Sequence, residues 1–257
     1  MRYFDTAPRY GAGLAERRLG AALGSRPRDE FVVSTKVGRL LRPGRSEWGG
    51  APELVDYFDF SADATLRSLE ESLGRLGLDR VDIAFVHDPD DHFDEALAGS
   101  FLALRRLRDE GVVRAIGVGA TQPTVLCRFA READPDCFLV AGRFTALDRT
   151  AEAELLPLCE AAGIAVIAGG VFNSGVIAGG TTFDDEAAPP EIVARVEQLR
   201  ETCGRHGVPL PAAAVQFPLR HPAVVTVLVG CRTPGEVAED VRLADADVPD
   251  ELWSELA

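Results

Sequence analysis

Seven short runs rich in β-branched and aromatic residues recur along the chain: RYFDT (2–6), FVVSTKV (31–37), VDIAFVH (81–87), VRAIGVG (113–119), CFLVAGR (137–143), IAVIAGG (164–170) and VVTVLVG (224–230). Most are followed by a helical pattern. In SADATLRSLEESLGRLGL, Leu66, Leu69, Leu73 and Leu76 recur at spacings of three, four and three, one face of an α-helix, with Ser61 placed to cap its N-terminus. FLALRRLRDEGV ends at Gly111, a residue suited to a helix C-terminus. Strands that are apolar almost throughout and alternate with helices predict a parallel sheet covered on both faces, closed into a barrel or left open. No Gly-x-Gly-x-x-Gly opens the first strand–helix turn, which argues against a dinucleotide-binding open sheet. Asp5, Lys36 and His87 fall at the C-terminal ends of three successive strands, the catalytic face if the sheet is a (β/α)₈ barrel.

A length of 257 residues with 46% hydrophobic and 26% charged composition suits one large domain or two small ones. A net charge of −14, with no basic block to offset it, repels phosphate backbones and anionic lipid, so a small molecule is the expected partner rather than nucleic acid or membrane. Cysteines 127, 137, 159, 203 and 231 are odd in number, lack any C-x-x-C spacing and lie in or beside apolar runs. They predict reduced core residues of a cytoplasmic protein. The N-terminal MRYFDTAPRYG carries no signal-peptide pattern, and no apolar run approaches the roughly 20 residues of a membrane helix.

Lys36 is the single lysine among 27 basic residues. The surrounding bias toward arginine makes its retention informative. Lysine is a compact charge whose pKa responds to burial, whereas arginine is a broad planar fork that holds its proton. A tyrosine hydroxyl, with an ordinary pKa near about 10, transfers a proton at neutral pH only if its anion is stabilised, and an ammonium within about 4–6 Å does that. A buried ammonium in turn needs a carboxylate. Asp5 is expected to hold Lys36, Lys36 to tune Tyr10, and His87 to hydrogen-bond the reacting oxygen.

FDTAPRYGAGLAERRLG, followed by VVSTKVG and DIAFVHD, resembles the aldo-keto reductase family, and the likeness runs over essentially the whole chain. Asp5, Tyr10, Lys36 and His87 match the family's catalytic Asp, Tyr, Lys and His in order and context. The resemblance implies one (β/α)₈ barrel domain over residues 1–257 that binds NAD or NADP at its C-terminal face, with hydride passing between nicotinamide C4 and a substrate carbon. VHDPDDH (86–92), AGRFTALDR (141–149) and GGVFNSGVIAGG (169–180) resemble the branch that contains D-threo-aldose (L-fucose) 1-dehydrogenase and pyridoxal 4-dehydrogenase. This implies oxidation of an aldose at C1 to the lactone, with a pyridoxal dehydrogenase, a general aldehyde or ketone reductase, and an inactive barrel with a binding role as alternatives.

The same resemblance implies the cofactor contacts. The turn Gly170 to Gly175, with Phe172, Asn173 and Ser174, would approach the pyrophosphate, and Phe144 would stack on the nicotinamide. Gly230, Arg232, Glu236 and Asp240 lie in GCRTPGEVAED, the adenosine segment, where two carboxylates favour NAD over NADP. Thr121 stands in the carboxamide-binding position; it and its neighbours Gly119 and Ala120 occupy sites where relatives carry Ser-Asn or Met-Asn, and Ala141 replaces a common glutamine. In the long 38–60 loop, Arg42, Arg45, Glu47 and Trp48 sit among glycines, and Trp48 is the expected sugar-facing aromatic. No metal site is expected. Relatives place a further strand and helix ahead of the FDTAPxYG strand, so the barrel is expected to lack its first β/α unit, through a misassigned start, a shortened chain or a genuine seven-unit variant.

Overall fold

The computed structural model describes residues 2–46 and 48–256; Glu47, one of the loop residues named above, lies outside them. In chain order the first elements are β1 (Tyr3–Asp5), α1 (Leu14–Leu23), β2 (Val32–Val37), β3 (Arg39–Pro43), β4 (Leu54–Phe58), α2 (Ala62–Leu76) and β5 (Ile83–His87). Next come α3 (Phe93–Ala96), a π-turn (Leu97–Phe101), α4 (Leu102–Asp109), β6 (Ala115–Ala120), α5 (Pro123–Glu132), β7 (Cys137–Ala141), α6 (Leu155–Ala162) and β8 (Ala165–Gly169). A short hairpin of β9 (Thr182–Phe183) and β10 (Glu186–Ala187) precedes α7 (Pro190–Arg205), α8 (Leu210–Gln216), β11 (Val224–Leu228), α9 (Pro234–Ala244) and α10 (Asp250–Leu256). The seven-stranded sheet has the order β1-β2-β5-β6-β7-β8-β11, so each of the seven expected runs is a strand of it. No helix among the described residues is long and apolar enough to cross a membrane.

The chain forms two compact units, Met1–Ala120 with Arg128–Phe138, and Thr121–Cys127 with Leu139–Ala257. In the first, β1, β2, β5 and β6 pair in parallel, with Asp5 beside Ser34, Lys36 beside Phe85 and His87 beside Gly119. Successive residues of β2 point to opposite faces. Ser34 and Lys36 share the face of Tyr3 and Asp5. Thr35 turns the other way and donates to Glu16 of α1 at 2.8 Å. Glu16 is wholly buried and also accepts from Arg75 of α2 at 2.5 Å, which ties two helices to the strand. The helices cross closely: a Cβ on Gly20 would lie 1.9 Å from the Leu76 carbonyl oxygen, so only glycine fits there.

Three expectations are corrected. Leu66 is 46% exposed, and α2 buries Ala64, Thr65, Ser68, Leu69, Ser72 and Leu76 instead. The cause is close packing on the π-turn, where the Thr65 and Ser100 hydroxyls meet at 2.7 Å and Ser100 donates to the Phe60 carbonyl at 3.1 Å. A leucine would hold these backbones apart, so small residues take the buried stripe. The 38–60 segment is no simple loop: β3 and β4 form an antiparallel hairpin with Leu40 opposite Tyr57 and Arg42 opposite Val55. Its glycine- and proline-rich tip hides the alternation of its arms. Of the five cysteines four are buried, but Cys231 is exposed, its thiol 3.1 Å from Asp240.

In the second unit β8 and β11 pair in parallel, with Ala168 beside Val227 and Gly169 beside Leu228. Phe144 is buried here, 5.4 Å from the ring of Phe217. Pro190 and Pro234 open α7 and α9, where a missing N–H costs nothing.

Candidate active site

Four polar side chains converge in the first unit. Asp5 ends β1, and its carboxylate accepts from the Lys36 ammonium at 2.5 Å through one oxygen and from the Ser34 hydroxyl at 2.5 Å through the other. Ser34 is itself 2.9 Å from the Tyr3 hydroxyl. Lys36 donates a second proton to the Thr6 carbonyl at 2.9 Å, and its nitrogen lies 4.6 Å from the centre of the Tyr10 ring. An ammonium has three N–H groups. The two hydrogen bonds leave one for the tyrosine side.

Lys36 is 1% exposed. Burial by itself would lower its pKa, yet Asp5 and Tyr10 beside it more than offset that and hold it above the ordinary value. Tyr10 stands in the turn after β1. Its N–H donates to Ala7 at 3.1 Å, and three successive left-handed residues, Gly11, Ala12 and Gly13, turn the chain into α1. Two of the three are glycines, which adopt that conformation freely.

His87 ends β5, 5% exposed, with its ring edge-on to Tyr10 at 5.9 Å. Burial, then the positive charges of Lys36, Arg39 and Arg9, depress its pKa well below the usual 6.5, so the imidazole is neutral and offers one N–H. Its Nδ1 is buried without a hydrogen-bond partner among the described residues, while Nε2 lies 3.5 Å from the Asp88 carboxylate. That asymmetry favours the tautomer protonated at Nε2, because an acceptor lone pair is cheaper to leave unpaired than an N–H. The first unit therefore holds a fixed cation beside a phenol and a neutral imidazole donor, a constellation suited to moving a proton on and off an oxygen. Ser34 and Tyr3 extend it and were not singled out in the sequence; the signal was Ser34 two residues before Lys36 on one strand face.

The tip of the hairpin carries Trp48, 41% exposed, with the Arg9 guanidinium 5.7 Å from its ring centre. Together with Ala12, Arg45 and Val55 they line a cavity of about 240 Å³. Arg42 is turned onto the Tyr57 ring at 5.2 Å.

The expected cofactor residues lie in the second unit. Gly170 has φ 64°, Asn173 45°, Ser174 55° and Gly175 98°, so the turn after β8 is built from left-handed residues. The Asn173 amide is engaged within the unit, donating to the Gly142 carbonyl at 3.1 Å and accepting from Thr145 at 2.8 Å. It shapes the turn. Ser174 hydrogen-bonds Asp185 at 3.1 Å. Phe172 lies beside them, half-buried. A Cβ at Gly175 or Gly230 would meet nothing within 4 Å, so backbone there is open to an approaching ligand. At the start of α9 the Thr233 hydroxyl accepts from the Glu236 N–H at 3.2 Å, while the Glu236 carboxylate accepts from the Arg232 N–H at 2.6 Å. Glu236 is thus a helix cap as well as a charge on the segment expected to meet adenosine. These residues fit a dinucleotide: open glycine backbone for a diphosphate, and carboxylates at Glu236 and Asp240. Thr121 opens this unit after β6, at the start of its separate stretch Thr121–Cys127.

Residues 1–257 match the Aldo/keto reductase family model. The D-threo-aldose 1-dehydrogenase of a Pseudomonas species is 43% identical over 273 residues, covering 100% of this chain and 83% of that protein. The pyridoxal 4-dehydrogenase of Microbacterium luteolum is 39% identical, with coverage of 100% and 83%. Among solved structures, an aldo-keto reductase of Bacillus halodurans in its holo form superposes with a TM-score of 0.79 at 26% identity, covering 100% of this chain and 81% of its own.

Proposed function

The chain belongs to the aldo/keto reductase family, an oxidoreductase family that uses NAD(P)H on a (β/α)₈ barrel, here with seven of the strands, and from that premise we propose that it oxidises an aldose such as L-fucose at C1 to the lactone. The observation that carries the reading is the Asp5–Lys36 pair at 2.5 Å with Tyr10 and His87 around it, and the 43% identity to an aldose dehydrogenase supports the substrate class. Residues 1–257 act in it as one family domain.

Lys36, fixed by Asp5 and by the Thr6 carbonyl, stabilises Tyr10 as phenolate. Tyr10 takes the proton of the anomeric hydroxyl, and the Nε2–H of His87 donates to the same oxygen and orients it. When bound, nicotinamide supplies the acceptor for the hydride that leaves C1. Gly170 to Gly175 and Gly230 would hold the diphosphate by backbone, Phe144 the nicotinamide ring, and Arg232, Glu236 and Asp240 the adenosine end, with NAD preferred because two carboxylates oppose a 2′-phosphate. Trp48 would pack on the apolar face of the sugar.

The test is a panel of aldoses, pyridoxal and simple aldehydes with each nicotinamide, followed at the absorbance of the reduced form. Aldose oxidation faster than pyridoxal oxidation is expected. Pyridoxal turning over fastest would support the second reading, which the 39% identity to a pyridoxal dehydrogenase favours.

A further inference from the structure

The residue after His87 is the least expected feature of the first unit. Asp88 has φ 47°, a left-handed conformation in which glycine would be the easy choice. Its N–H is anchored to the Gly119 carbonyl at 2.8 Å. Its Oδ2 accepts from Arg39 Nη1 at 2.6 Å, and the same arginine is gripped by Asp56 across the hairpin at 2.6 Å. Arg39 is thus braced between two carboxylates, one on β4 and one at the end of β5. Asp88 Oδ2 also lies 3.5 Å from His87 Nε2. No hydrogen bond among the described residues engages its Oδ1, and 32% of the side chain is exposed. Around it stand Arg39 on β3, His87 on β5, Asp90, and Lys36 on β2. Asp88 braces Arg39 through one oxygen, and its left-handed backbone sets the carboxylate beside the donor nitrogen of the mechanism, where the other oxygen is placed to reach a ligand.

We infer that Asp88 is a specificity-determining residue, which accepts a hydrogen bond from a hydroxyl on the carbon next to the reacting one. His87 and Asp88 form a donor and acceptor side by side, the complement of the oxygen on the reacting carbon and a hydroxyl on the carbon next to it. The ligand class is an α-hydroxy carbonyl or its vicinal-diol counterpart. Burial raises the Asp88 pKa, Arg39 beside it opposes that rise and aims the side chain, and in its ionised form the carboxylate makes the hydrogen bond a charge-assisted one. The inference rests on the reading of Tyr10 and His87 given above and narrows its substrate class.

The experiment compares kcat/KM for paired substrates that differ by that hydroxyl alone: L-fucose against 2-deoxy-L-fucose in oxidation, and lactaldehyde against propanal in reduction. The wild-type protein is expected to favour the hydroxylated member of each pair by about 10²-fold or more, since a site built to bind a hydroxyl rejects the analogue lacking it. In Asp88→Gly, which suits the left-handed backbone, the ratio falls to within about threefold; in Asp88→Asn, which tolerates the same backbone and keeps a neutral acceptor, it falls to about tenfold. Ratios unchanged in a folded variant, or a wild-type ratio near one, overturn the assignment. If neither sugar is oxidised while lactaldehyde is reduced, the aldose reading fails, and the lactaldehyde-to-propanal ratio still decides the role of Asp88.

Discussion

The two units of the chain prepare for ligands in opposite ways. In the first, side chains do the work, and each is already committed: Tyr3 to Ser34, Ser34 to Asp5, Asp5 to Lys36, with Lys36 set against the Tyr10 ring. In the second, the side chains of the expected cofactor segment mostly satisfy one another, Asn173 with Thr145 and Gly142, Ser174 with Asp185, Glu236 with its own helix end. What it leaves open is backbone at Gly175 and Gly230. A proton transfer needs a charge at a fixed point, so its machinery is buried and specific in residue type. A diphosphate can be held by any N–H that can be reached, so its site is defined by conformation.

The difference can be broken most severely at Tyr10. Tyr10→Phe is expected to lower kcat by roughly 10²–10⁴-fold while leaving cofactor affinity, read from quenching of protein fluorescence, within about twofold of wild type. Lys36→Arg is expected to be nearly as damaging although charge is retained; wild-type-like turnover there would remove the role given to the lysine. Lys36→Met leaves the largely covered Asp5 carboxylate without its ion partner and is expected to cost about 3 kcal/mol in denaturant unfolding.

Glycine substitutions sharpen the contrast. Gly20→Ala forces a methyl onto the Leu76 carbonyl in the first unit and is expected to cost at least about 1–3 kcal/mol. Gly175→Ala meets no atom in the second unit and costs only its left-handed backbone, about 1 kcal/mol, so its larger effect should appear in cofactor affinity.

The pH dependence of stability follows from the first unit. Because the folded state depresses the pKa of His87, the unfolded chain binds protons more readily below about 6.5, and stability falls as pH drops through that range. Lys36 has the opposite sense at the other end, its contribution complete below 10.5 and lost as pH rises through its higher folded value. Chemical denaturation across pH 4–8 in wild type and His87→Gln checks the first: the acid-side slope should be shallower in the variant. The smallest effect is expected on the exposed segment proposed to meet adenosine, where Glu236→Arg should move the NADP to NAD preference by about fivefold.

Much of this was legible in the sequence because strand periodicity and residue chemistry coincide. A lysine, an aspartate and a histidine at successive strand ends are conspicuous in apolar runs, and all seven runs are strands. The Ser34–Tyr3 extension and the buried Glu16 were missed because a hydroxyl in a strand, or a glutamate in a charged helix, looks the same whether it faces water or a partner. Leu66 misled for a related reason: helical spacing marks an apolar stripe, but the approach distance of the neighbouring backbone decides which stripe is buried. The hairpin of β3 and β4 was hidden by its tip. Asp88 stood in the VHDPDDH motif, but its pairing with Arg39 gave no pattern, since it spans 49 positions in sequence.

A single lysine that is 1% exposed gives the protein a chemical property unrelated to its reaction. Acylating and carbamylating reagents attack neutral, accessible amines. Here the side-chain amine is sealed and, with its raised pKa, held as the unreactive ammonium. Acylation at Lys36 would therefore require the strand β2 to open, and its rate, followed by intact mass and peptide mapping, would time the opening of the first unit without any introduced label.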